Sequence, residues 1–381
     1  MKIAFVSMFY TPTFGGVEVV IQELAERYVK QGHEVHMFCC DSDKYKRIKN
    51  KEEIINGVHV HRSSYWFRLS LSTFIWPGLL WQLSKYQFDV IHSHVGGHAY
   101  VLFAGLVSRL KGTAHVHTTH CPWTDAFRPW KVKIPLFFTN IIFNRLAFAM
   151  TDKIIAITPW EVPTLKKWVN KKKIVVIPNG MDQILFEKIK PNNYKKKLGI
   201  KNKMVLFFGR LNPTKGPEHL AIAAQNILKK RKDIDFVFVG PDEGRLPLLK
   251  KIANKHPKIH ITGAISGKKN IAEMYQAADV YVLPSYREGL PLTLFEAMAS
   301  GLPIIASPVN GIPYEMKDPE NGLFIKYGNV PQIEEAILKI LDNPSMAKKM
   351  SEANMKKAKA YTWDAIAKRT MQVYIDTIRR K

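Results

Sequence analysis

The 381-residue chain is poor in cysteine and acidic residues, and it has no long apolar run. Its three cysteines, the adjacent pair Cys39 and Cys40 and the isolated Cys121, cannot build a disulfide framework, so reduced thiols are expected. No stretch reaches the roughly eighteen consecutive apolar residues of a membrane-spanning helix. The chain starts directly with a strand-like run at residues 2–7 and no signal-peptide pattern, which predicts a cytoplasmic protein.

Acidic residues are scarce relative to basic ones: 57 Lys and Arg against 32 Asp and Glu leave a net charge of +25. Such a field favours anionic partners, which include nucleotide diphosphates, anionic lipid head groups and nucleic acid. Many lysines fall in short runs at 171–173, 195–197 and 229–232, which are typical of a plain solvated surface. No nucleic-acid-binding module is recognisable, so nucleic acid is not an expected partner.

Strand-like and helix-like segments alternate along the whole chain, which predicts an α/β fold with parallel sheets. The length suits two domains. We expect a first domain at 1–180, a linker region at 181–203, a second domain at 204–360 and a terminal helix at 361–381. The strand candidates after the first run are Glu34–Cys39, Val58–Arg62, Val90–Ser93, Ala114–Thr118, Lys153–Ile157 and Ile174–Ile177, then Met204–Phe208, Phe236–Val239, Ile259–Thr262, Val280–Leu283 and Pro303–Ala306.

An aromatic-rich stretch, Tyr65 to Leu83, contains Trp66, Trp76 and Trp81. Its composition suits an acceptor loop or an interfacial membrane contact. A buried helix pair is the favoured interpretation, because aromatic clusters usually belong to the core. A second apolar stretch, 135–150, is expected to pack as a helix against the sheet.

Two glutamates, Glu288 and Glu296, bracket a Gly-Leu-Pro turn at 289–291 and the start of a predicted helix. The strand at 279–284 runs into this turn, and open α/β sheets bind ligands beyond the carboxyl ends of their strands. Glu296 lies about two turns along the helix on nearly the same face as Glu288, so both can reach one elongated polar ligand. Two unrelated glutamates on a solvated helix face are the alternative for the spacing alone.

A polar loop at 209–216, Gly-Arg-Leu-Asn-Pro-Thr-Lys-Gly, follows the first strand of the second domain. Its cations Arg210 and Lys215 lie at a strand end beside a helix start, where they could neutralise a departing diphosphate without a metal ion. The backbone N–H groups of Thr293 and Leu294 can also face an anion at a helix start. The alternative is a surface loop with ordinary cations.

In the first domain, Gly15-Gly16 separates a strand from a helix, where a backbone without side chains can approach a phosphate or sugar closely. Histidines crowd residues 115–120 at the end of another strand. His115 and His117 point to one face, as zinc ligands do, but no carboxylate or paired cysteine follows at metal-like spacing, so no metal is predicted. A catalytic role and a structural role both stay open for these histidines.

These segments resemble the motifs of GT4-type retaining glycosyltransferases, which have two Rossmann-like domains facing across a cleft, the GT-B fold. The glutamate pair is similar to their E-x7-E element, and the loop 209–216 to their G-R-x5-K-G pattern. The loop 308–315 looks like their Gly-Gly-Ile-Pro-Glu loop with Asn310 at the first Gly, where structural capping is the expected role. The segments that match in the family's order are Gly15-Gly16, Thr118-Thr119-His120, Ile177-Pro178-Asn179-Gly180, Gly209 to Gly216, and Glu288 to Gly301.

The resemblance implies a metal-independent, retaining transfer of a sugar from a nucleotide-diphosphate sugar, a UDP- or GDP-sugar, to an acceptor hydroxyl. It assigns leaving-group stabilisation to Arg210 and Lys215, and contact with the transferred sugar to Glu288 and His120. His117 is the runner-up to His120, because a register error of three residues would exchange them. The implied donor-binding set is Gly15, Gly16, Arg210, Lys215, Glu288, Gly289, Leu290, Pro291, Thr293, Leu294 and Glu296.

The resemblance further implies that the terminal helix crosses back to the first domain and that no cofactor is needed. The acceptor would be a sugar, a polysaccharide or a lipid-linked sugar, and the basic, tryptophan-rich chain favours peripheral contact with an anionic membrane. No particular oligomeric state is predicted.

Two rival functions stay open. One is a sugar-nucleotide epimerase or hydrolase on the same scaffold, and the other is a nonenzymatic binder of an anionic surface. The segments Asp41-Ser42-Asp43 and Asp233-Ile234-Asp235 match a D-x-D metal signature only nominally, because lysines flank them. Residues 266–269 lack the P-loop spacing, so ATP hydrolysis is not predicted.

Overall fold

The structure, a computed structural model, describes residues 1–13, 15–43, 45–70, 73–120, 144–189 and 192–381. It divides into two compact units: unit 1 comprises Met1–Asn179 and Trp363–Lys381, and unit 2 comprises Gly180–Thr362. Unit 2 therefore interrupts the chain of unit 1. The two ends of unit 2 meet, because the Met181 amide donates to the Tyr361 carbonyl at 2.8 Å.

Sixteen strands are assigned within the described residues. They are β1 Lys2–Val6, β2 Glu34–Cys40, β3 Glu52–Ile55, β4 Val58–Ser63, β5 Phe67–Ser70, β6 Thr73–Ile75, β7 Val90–His94, β8 Ala114–Thr118, β9 Lys153–Ala156, β10 Ile174–Val176, β11 Lys203–Phe208, β12 Ile234–Val239, β13 Ile259–Gly263, β14 Val280–Leu283, β15 Ile304–Ala306 and β16 Gly322–Phe324.

The helices with defined bounds alternate with these strands. They are α1 Gly16–Lys30, α2 Gly78–Ser84, α3 Ala99–Lys111, α4 Val162–Leu165, α5 Asn192–Lys197, α6 Pro217–Lys230, α7 Leu246–Ala253, α8 Lys268–Ala277, α9 Leu292–Ala299, α10 Ile312–Glu315, α11 Val330–Leu341, α12 Pro344–Ala358 and α13 Trp363–Ile378. Residues 144–149 are also helical, and the rest of the predicted helix at 135–150 lies outside the described residues.

Unit 1 is built on an eight-stranded sheet with the order β10-β9-β8-β7-β1-β2-β4-β3. Neighbouring strands are parallel except β3, which pairs antiparallel with β4. Strands β1, β7 and β8 are covered on both faces and read as nearly continuous apolar or histidine-containing runs, as expected for a parallel sheet between helices.

The terminal helix α13 packs within unit 1 rather than unit 2. Its buried positions, Trp363, Ile366, Ala367, Thr370, Val373, Tyr374 and Thr377, recur at helical spacing and form one face. The Tyr28 hydroxyl donates to the Ala367 carbonyl at 3.0 Å, and the Tyr374 hydroxyl lies 2.6 Å from His92 Nδ1. These contacts tie α13 to α1 and β7.

Unit 2 has a six-stranded, wholly parallel sheet with the order β13-β12-β11-β14-β15-β16. This is the doubly wound arrangement in which the chain reverses its direction of strand addition between β11 and β14. The expected linker region 181–203 belongs to unit 2 and contains α5.

The aromatic-rich stretch does not form the predicted helix pair. Strands β5 and β6 make a separate two-stranded sheet, and α2 follows it. Phe74 and Trp76 are buried in unit 1, whereas Trp66, Phe67 and Trp81 are 70%, 61% and 66% exposed. Pro77 precedes α2, so the helix begins only after the buried aromatic residues.

Within the described residues, no helix combines the length and apolar character needed to cross a bilayer. Cys39 and Cys40 are buried free thiols, and Cys121 lies outside the described residues.

Candidate active site

The polar loops predicted from the sequence converge at the strand-order reversal of unit 2. Strands β11 and β14 are hydrogen-bonded neighbours, so the loop that leaves β11 and the loop that leaves β14 emerge side by side. The Tyr286 amide donates to the Thr214 carbonyl at 2.8 Å and joins the two loops directly. The structure therefore brings 209–216 and 285–291 together, at the edge where doubly wound sheets bind ligands.

Lys215 and Glu288 form an ion pair at this junction. Lys215 Nζ lies 2.6 Å and 2.7 Å from the two carboxylate oxygens of Glu288, and the side chains are 14% and 6% exposed. The Ser285 hydroxyl donates to the same carboxylate at 2.6 Å. The burial and the paired contacts fix the position of the cation and of the carboxylate, so both are already oriented before a ligand arrives.

Arg210 lies at the rim of the same group and is half-exposed. Its guanidinium donates to Glu243 at 2.9 Å, and the Asn212 amide donates to the same carboxylate at 3.0 Å. Asn212 Oδ1 in turn accepts the Lys215 backbone N–H at 3.2 Å. A continuous chain of polar contacts thus links the Arg210 guanidinium to the backbone of Lys215.

Two glycines let the backbones approach at this junction. Gly216, which precedes α6, has φ +61°, and a Cβ there would lie 2.5 Å from the Pro284 carbonyl oxygen. Gly240, at the end of β12, has φ +147°, and a Cβ there would collide with the Gly209 carbonyl. Non-glycine residues avoid both conformations.

Glu296 lies on α9, which begins directly after the turn 289–291. It accepts a 2.9 Å hydrogen bond from the Tyr275 hydroxyl of α8. Burial raises the pKa of Glu296 to about 7, against a lowering by the Tyr275 hydrogen bond and a further rise from the charge of Asp182. Glu288 and Glu296 both act on the buried Tyr281, whose pKa is raised mainly by burial, so the two carboxylates lie close to one side chain.

The turn between the glutamates is held from the loop 308–315. The Asn310 amide donates to the Glu288 carbonyl, and the Gly311 amide donates to the Gly289 carbonyl at 3.1 Å. Asn310 has φ +48°, a conformation that glycine adopts most readily and asparagine tolerates. This loop positions Glu288.

The remaining predicted donor residues of unit 2 lie around the start of α9. The side chains of Leu290, Pro291 and Leu294 are buried, so only their backbones can reach a ligand. Thr293 is partly buried in the first turn of α9, and the Leu294 N–H of the same turn donates to the Pro291 carbonyl at 3.1 Å.

Unit 1 holds a second polar cluster at the carboxyl ends of β7 and β8. His94 Nδ1 and His120 Nε2 are 2.8 Å apart. His115 and His117 both contact the Ser93 hydroxyl, at 2.8 Å and 2.9 Å, which places them on one face of β8 as the alternation predicts. Hydrogen bonds to neighbouring side chains therefore occupy nitrogens of all these rings.

His120 and His117 differ in exposure and in electrostatics. His120 is partly exposed with φ +52°, whereas His117 is fully buried beside Phe148. Burial lowers the pKa of His120 to about 3, and burial together with the neighbouring histidines holds the pKa of His117 well below its ordinary value. Both rings are neutral at pH 7, and His120 is the one that a ligand can reach.

Gly15 and Gly16 also belong to unit 1, where Gly15 precedes α1 and Gly16 begins it. The Glu18 carboxylate folds back over Gly15 and would meet any Cβ there. Because Gly15 has no side chain, the Glu18 carboxylate can lie close to its backbone.

No group of three or more potential metal ligands occurs within the residues that the structure describes. Asp41 pairs with Arg47 at 2.9 Å, and Asp235 with His260 at 2.8 Å, so these acidic residues of the two nominal D-x-D segments are engaged by cations or imidazole.

The sequence interpretation missed three residues of the unit 2 site: Asn212, Glu243 and Tyr275. Glu243 follows β12, the neighbour of β11, so the strand-end rule that found Arg210 could also have found it. Tyr275 comes from the helix α8, and nothing in the sequence marks it as a partner of Glu296.

Two family descriptions together match most of the chain. Residues 190–357 match "Glycosyl transferases group 1", and residues 14–183 match "Glycosyltransferase Family 4".

Individual relatives agree with these matches. The UDP-Gal:alpha-D-GlcNAc-diphosphoundecaprenol alpha-1,3-galactosyltransferase of Escherichia coli is 30% identical over 273 residues, which cover 68% of each chain. The sucrose-phosphate synthase of Thermosynechococcus elongatus superposes with a TM-score of 0.78 at 23% identity and covers 100% of both chains. The Anabaena protein HepE in complex with UDP-glucose superposes with a TM-score of 0.77 at 17% identity, covering 99% of this chain and 100% of its own.

Proposed function

The chain belongs to the GT4-type glycosyl transferases of group 1, with the GT-B fold, and we propose on this basis that it is a metal-independent, retaining enzyme that uses a UDP- or GDP-sugar. The observation that carries the proposal is the pair of fixed cations at the strand-order reversal of unit 2. Lys215 is held by Glu288, and Arg210 by Glu243. Fixed cations of this kind can neutralise the diphosphate as its bond to the sugar breaks.

Each side chain has a defined role in this proposal. Arg210 and Lys215 bind the diphosphate, together with the backbone N–H groups at the start of α9. Glu288 lies beside the sugar and the diphosphate, and Glu296 accepts hydrogen bonds from the ribose hydroxyls. His120 contacts the transferred sugar as a neutral imidazole. The predicted role of Gly15 and Gly16 is close contact of their backbone with the donor.

The test is a transfer assay with the double variant Arg210→Ala/Lys215→Ala. Removal of one such electrostatic group typically costs about 100-fold or more in turnover, so the double variant should lose transfer while its circular dichroism stays unchanged. Lys229→Ala/Lys230→Ala removes two exposed cations of α6 and is the matched control. Undiminished transfer in the first variant contradicts the proposed role of the cations.

The same assay distinguishes transfer from the rival functions, and it tests retention of configuration and metal independence. An epimerase or hydrolase would release epimer or free sugar even with acceptor present. Retention requires that the anomeric configuration of the donor sugar appears in the product, which NMR determines. Metal independence requires that transfer continues in excess EDTA; loss of transfer there, restored by a divalent ion, would refute it.

We further propose a lipid-linked acceptor and contact of unit 1 with an anionic membrane from the cytoplasmic side. The Escherichia coli relative carries a diphosphoundecaprenol-linked acceptor in its name. On unit 1, Trp66, Phe67 and Trp81 are mostly exposed, and Lys85 Nζ lies 3.1 Å from the centroid of Trp81. Exposed aromatic residues beside cations are typical of side chains that enter a lipid interface.

The membrane proposal predicts that Trp66→Ser/Phe67→Ser/Trp81→Ser weakens sedimentation with phosphatidylglycerol vesicles. These side chains are exposed, so their replacement should leave folding unchanged. Leu110→Ser replaces another apolar side chain of unit 1 that is 86% exposed, and serves as the control. Equal sedimentation of the triple variant and the wild type would count against membrane contact through this surface.

A further inference from the structure

A basic cavity of about 210 Å³ lies in unit 1. It is formed at the amino ends of β9 and β10 and at the end of α13, whereas His94 lies at the carboxyl end of β7 and His120 follows the carboxyl end of β8. Its charged lining residues are Asp152, Lys153, Lys172, Lys173, Arg380 and Lys381. The proposed transfer reaction uses none of them.

Backbone carbonyls hold two of the amines in place. Lys153 Nζ donates to the Lys172 carbonyl at 2.6 Å, and Lys173 Nζ donates to the Thr151 carbonyl at 2.8 Å. A carbonyl orients an ammonium group but does not neutralise its charge. Each ammonium group carries three N–H donors, so both amines keep donors for a ligand.

The cluster has an excess of positive charge. Asp152 pairs with Lys381 at 3.2 Å, and Asp376 on α13 lies near Lys153. Burial and the charge of Arg380 lower the pKa of Lys153. Burial also lowers the pKa of Lys173, with Asp152 acting in the opposite direction and Arg109 adding to the lowering. An anion in the cavity would stabilise the charged form of these amines and offset the repulsion between them.

We propose that this cavity is a binding site for a phosphate group, carried either by a soluble diphosphate or by a lipid head group. Phosphate oxygens can accept hydrogen bonds from several convergent cations at once. The site uses the convergence of Lys153, Lys173 and Arg380 and is independent of the proposed transfer reaction.

The first measurement is calorimetric titration with inorganic pyrophosphate of three full-length proteins. They are the wild type, Lys153→Gln/Lys173→Gln, and the control Lys229→Gln/Lys230→Gln. Both variants lose two positive charges, and both keep the residues proposed to bind the donor diphosphate, so a difference between them reports the cavity. The wild type should bind pyrophosphate both at the proposed donor site and in the cavity. The cavity variant should bind it about tenfold more weakly in the cavity, the scale of lost charge-assisted hydrogen bonds.

The second measurement is sedimentation with phosphatidylcholine vesicles that contain or lack phosphatidic acid. Weaker pyrophosphate binding at the cavity in the cavity variant, but not in the control, supports a soluble phosphate ligand. Loss of phosphatidic-acid-dependent sedimentation in that variant alone supports a lipid phosphate. Lys153→Arg/Lys173→Arg keeps the charges and should keep the affinity. The proposal is overturned if the cavity variant and the control behave alike in both measurements, because the net charge then explains the binding.

Discussion

At the scale of the residue, Glu296 has the electrostatics that make its proposed role testable. Its pKa is raised to about 7 by burial, so its charge changes within the range where the protein can be studied. A carboxylate accepts hydrogen bonds from ribose hydroxyls at both oxygens, whereas the protonated acid accepts less well. The diphosphate of a nucleotide-diphosphate sugar keeps a constant charge around this pH.

We therefore expect the affinity for the donor sugar nucleotide to increase as the pH rises through about 7. Glu296→Gln should remove this pH dependence. Tyr275→Phe removes the hydrogen bond that lowers the pKa of Glu296, so it should move the midpoint to higher pH. Donor titrations between pH 6 and 9 measure all three proteins. A wild-type profile that Glu296→Gln leaves unchanged would exclude Glu296 as its origin.

Some residues of the candidate site could be predicted from their sequence context, and others could not. Arg210, Lys215 and Glu288 follow buried strands, and a parallel sheet gathers the ends of its strands at one edge, so the geometry followed from the pattern. Tyr275 meets Glu296 across two helices that are distant in sequence from the β11 loop. Such a side-chain contact depends on how the helices pack on the sheet, which no local pattern encodes.

At the scale of the element, the turn into α6 depends on a glycine for two separate reasons. Gly216 has φ +61°, and a side chain there would also press on the Pro284 carbonyl. Gly199 has φ +67° with no atom near its missing Cβ. A comparison of alanine substitutions at the two glycines therefore separates the cost of the backbone conformation from the cost of a steric collision.

Gly199→Ala should destabilise unit 2 by about 1–2 kcal/mol, the cost of a left-handed conformation with a side chain. Gly216→Ala should cost more, and it should also weaken donor binding, because the collision displaces Lys215 next to it. Urea unfolding followed by circular dichroism gives the stabilities, and donor titration gives the affinities. Equal effects of the two substitutions on donor affinity would show that the collision does not reach Lys215.

The buried strands were predictable, and so were the edge strands β10 and β13, but the edge strands β3 and β16 were not. Ala114–Thr118 and Val280–Leu283 were predicted with the bounds that the structure gives. Both are short runs without a charged residue, as is typical of strands buried on both faces. Strand β3 contains two glutamates and is largely exposed, and β16 has three residues and begins with a glycine. Such segments show neither the apolar run nor the apolar–polar alternation from which a strand is predicted. The predicted helix pair at 65–83 was wrong, because the hairpin β5–β6 forms in part of this stretch. Aromatic content alone does not distinguish a buried helix from a strand.

At the scale of the whole molecule, the fold-class prediction of a GT-B protein is confirmed. We expect the two units to differ in acid sensitivity. Several buried histidines lie in unit 1, and burial lowers the pKa of each; they include His92, His94, His115, His117 and His120. The unfolded chain takes up protons at histidine below about pH 6.5, whereas these folded histidines do not. Protonation therefore favours unfolding, and the stability of unit 1 should decrease as the pH falls from about 6.5 towards about 4, the pKa of His115.

Tryptophan fluorescence can follow unit 1 selectively, because none of the 8 tryptophans lies within residues 180–362. Each buried histidine should contribute up to about 1.4 kcal/mol per pH unit over this range. The urea midpoint of tryptophan emission should therefore fall between pH 7 and 5, more than the midpoint of far-ultraviolet circular dichroism, which averages both units. Parallel shifts of the two signals would show that the acid sensitivity is not confined to unit 1.

The interruption of unit 1 by unit 2 sets an order of events during translation. The ribosome releases the whole of residues 180–362 before it releases α13. The nascent first half must therefore wait with Tyr28 and His92 lacking their partners Ala367 and Tyr374, while the later-made unit already has its complete chain. The half of the protein that is made first is thus the last to be completed.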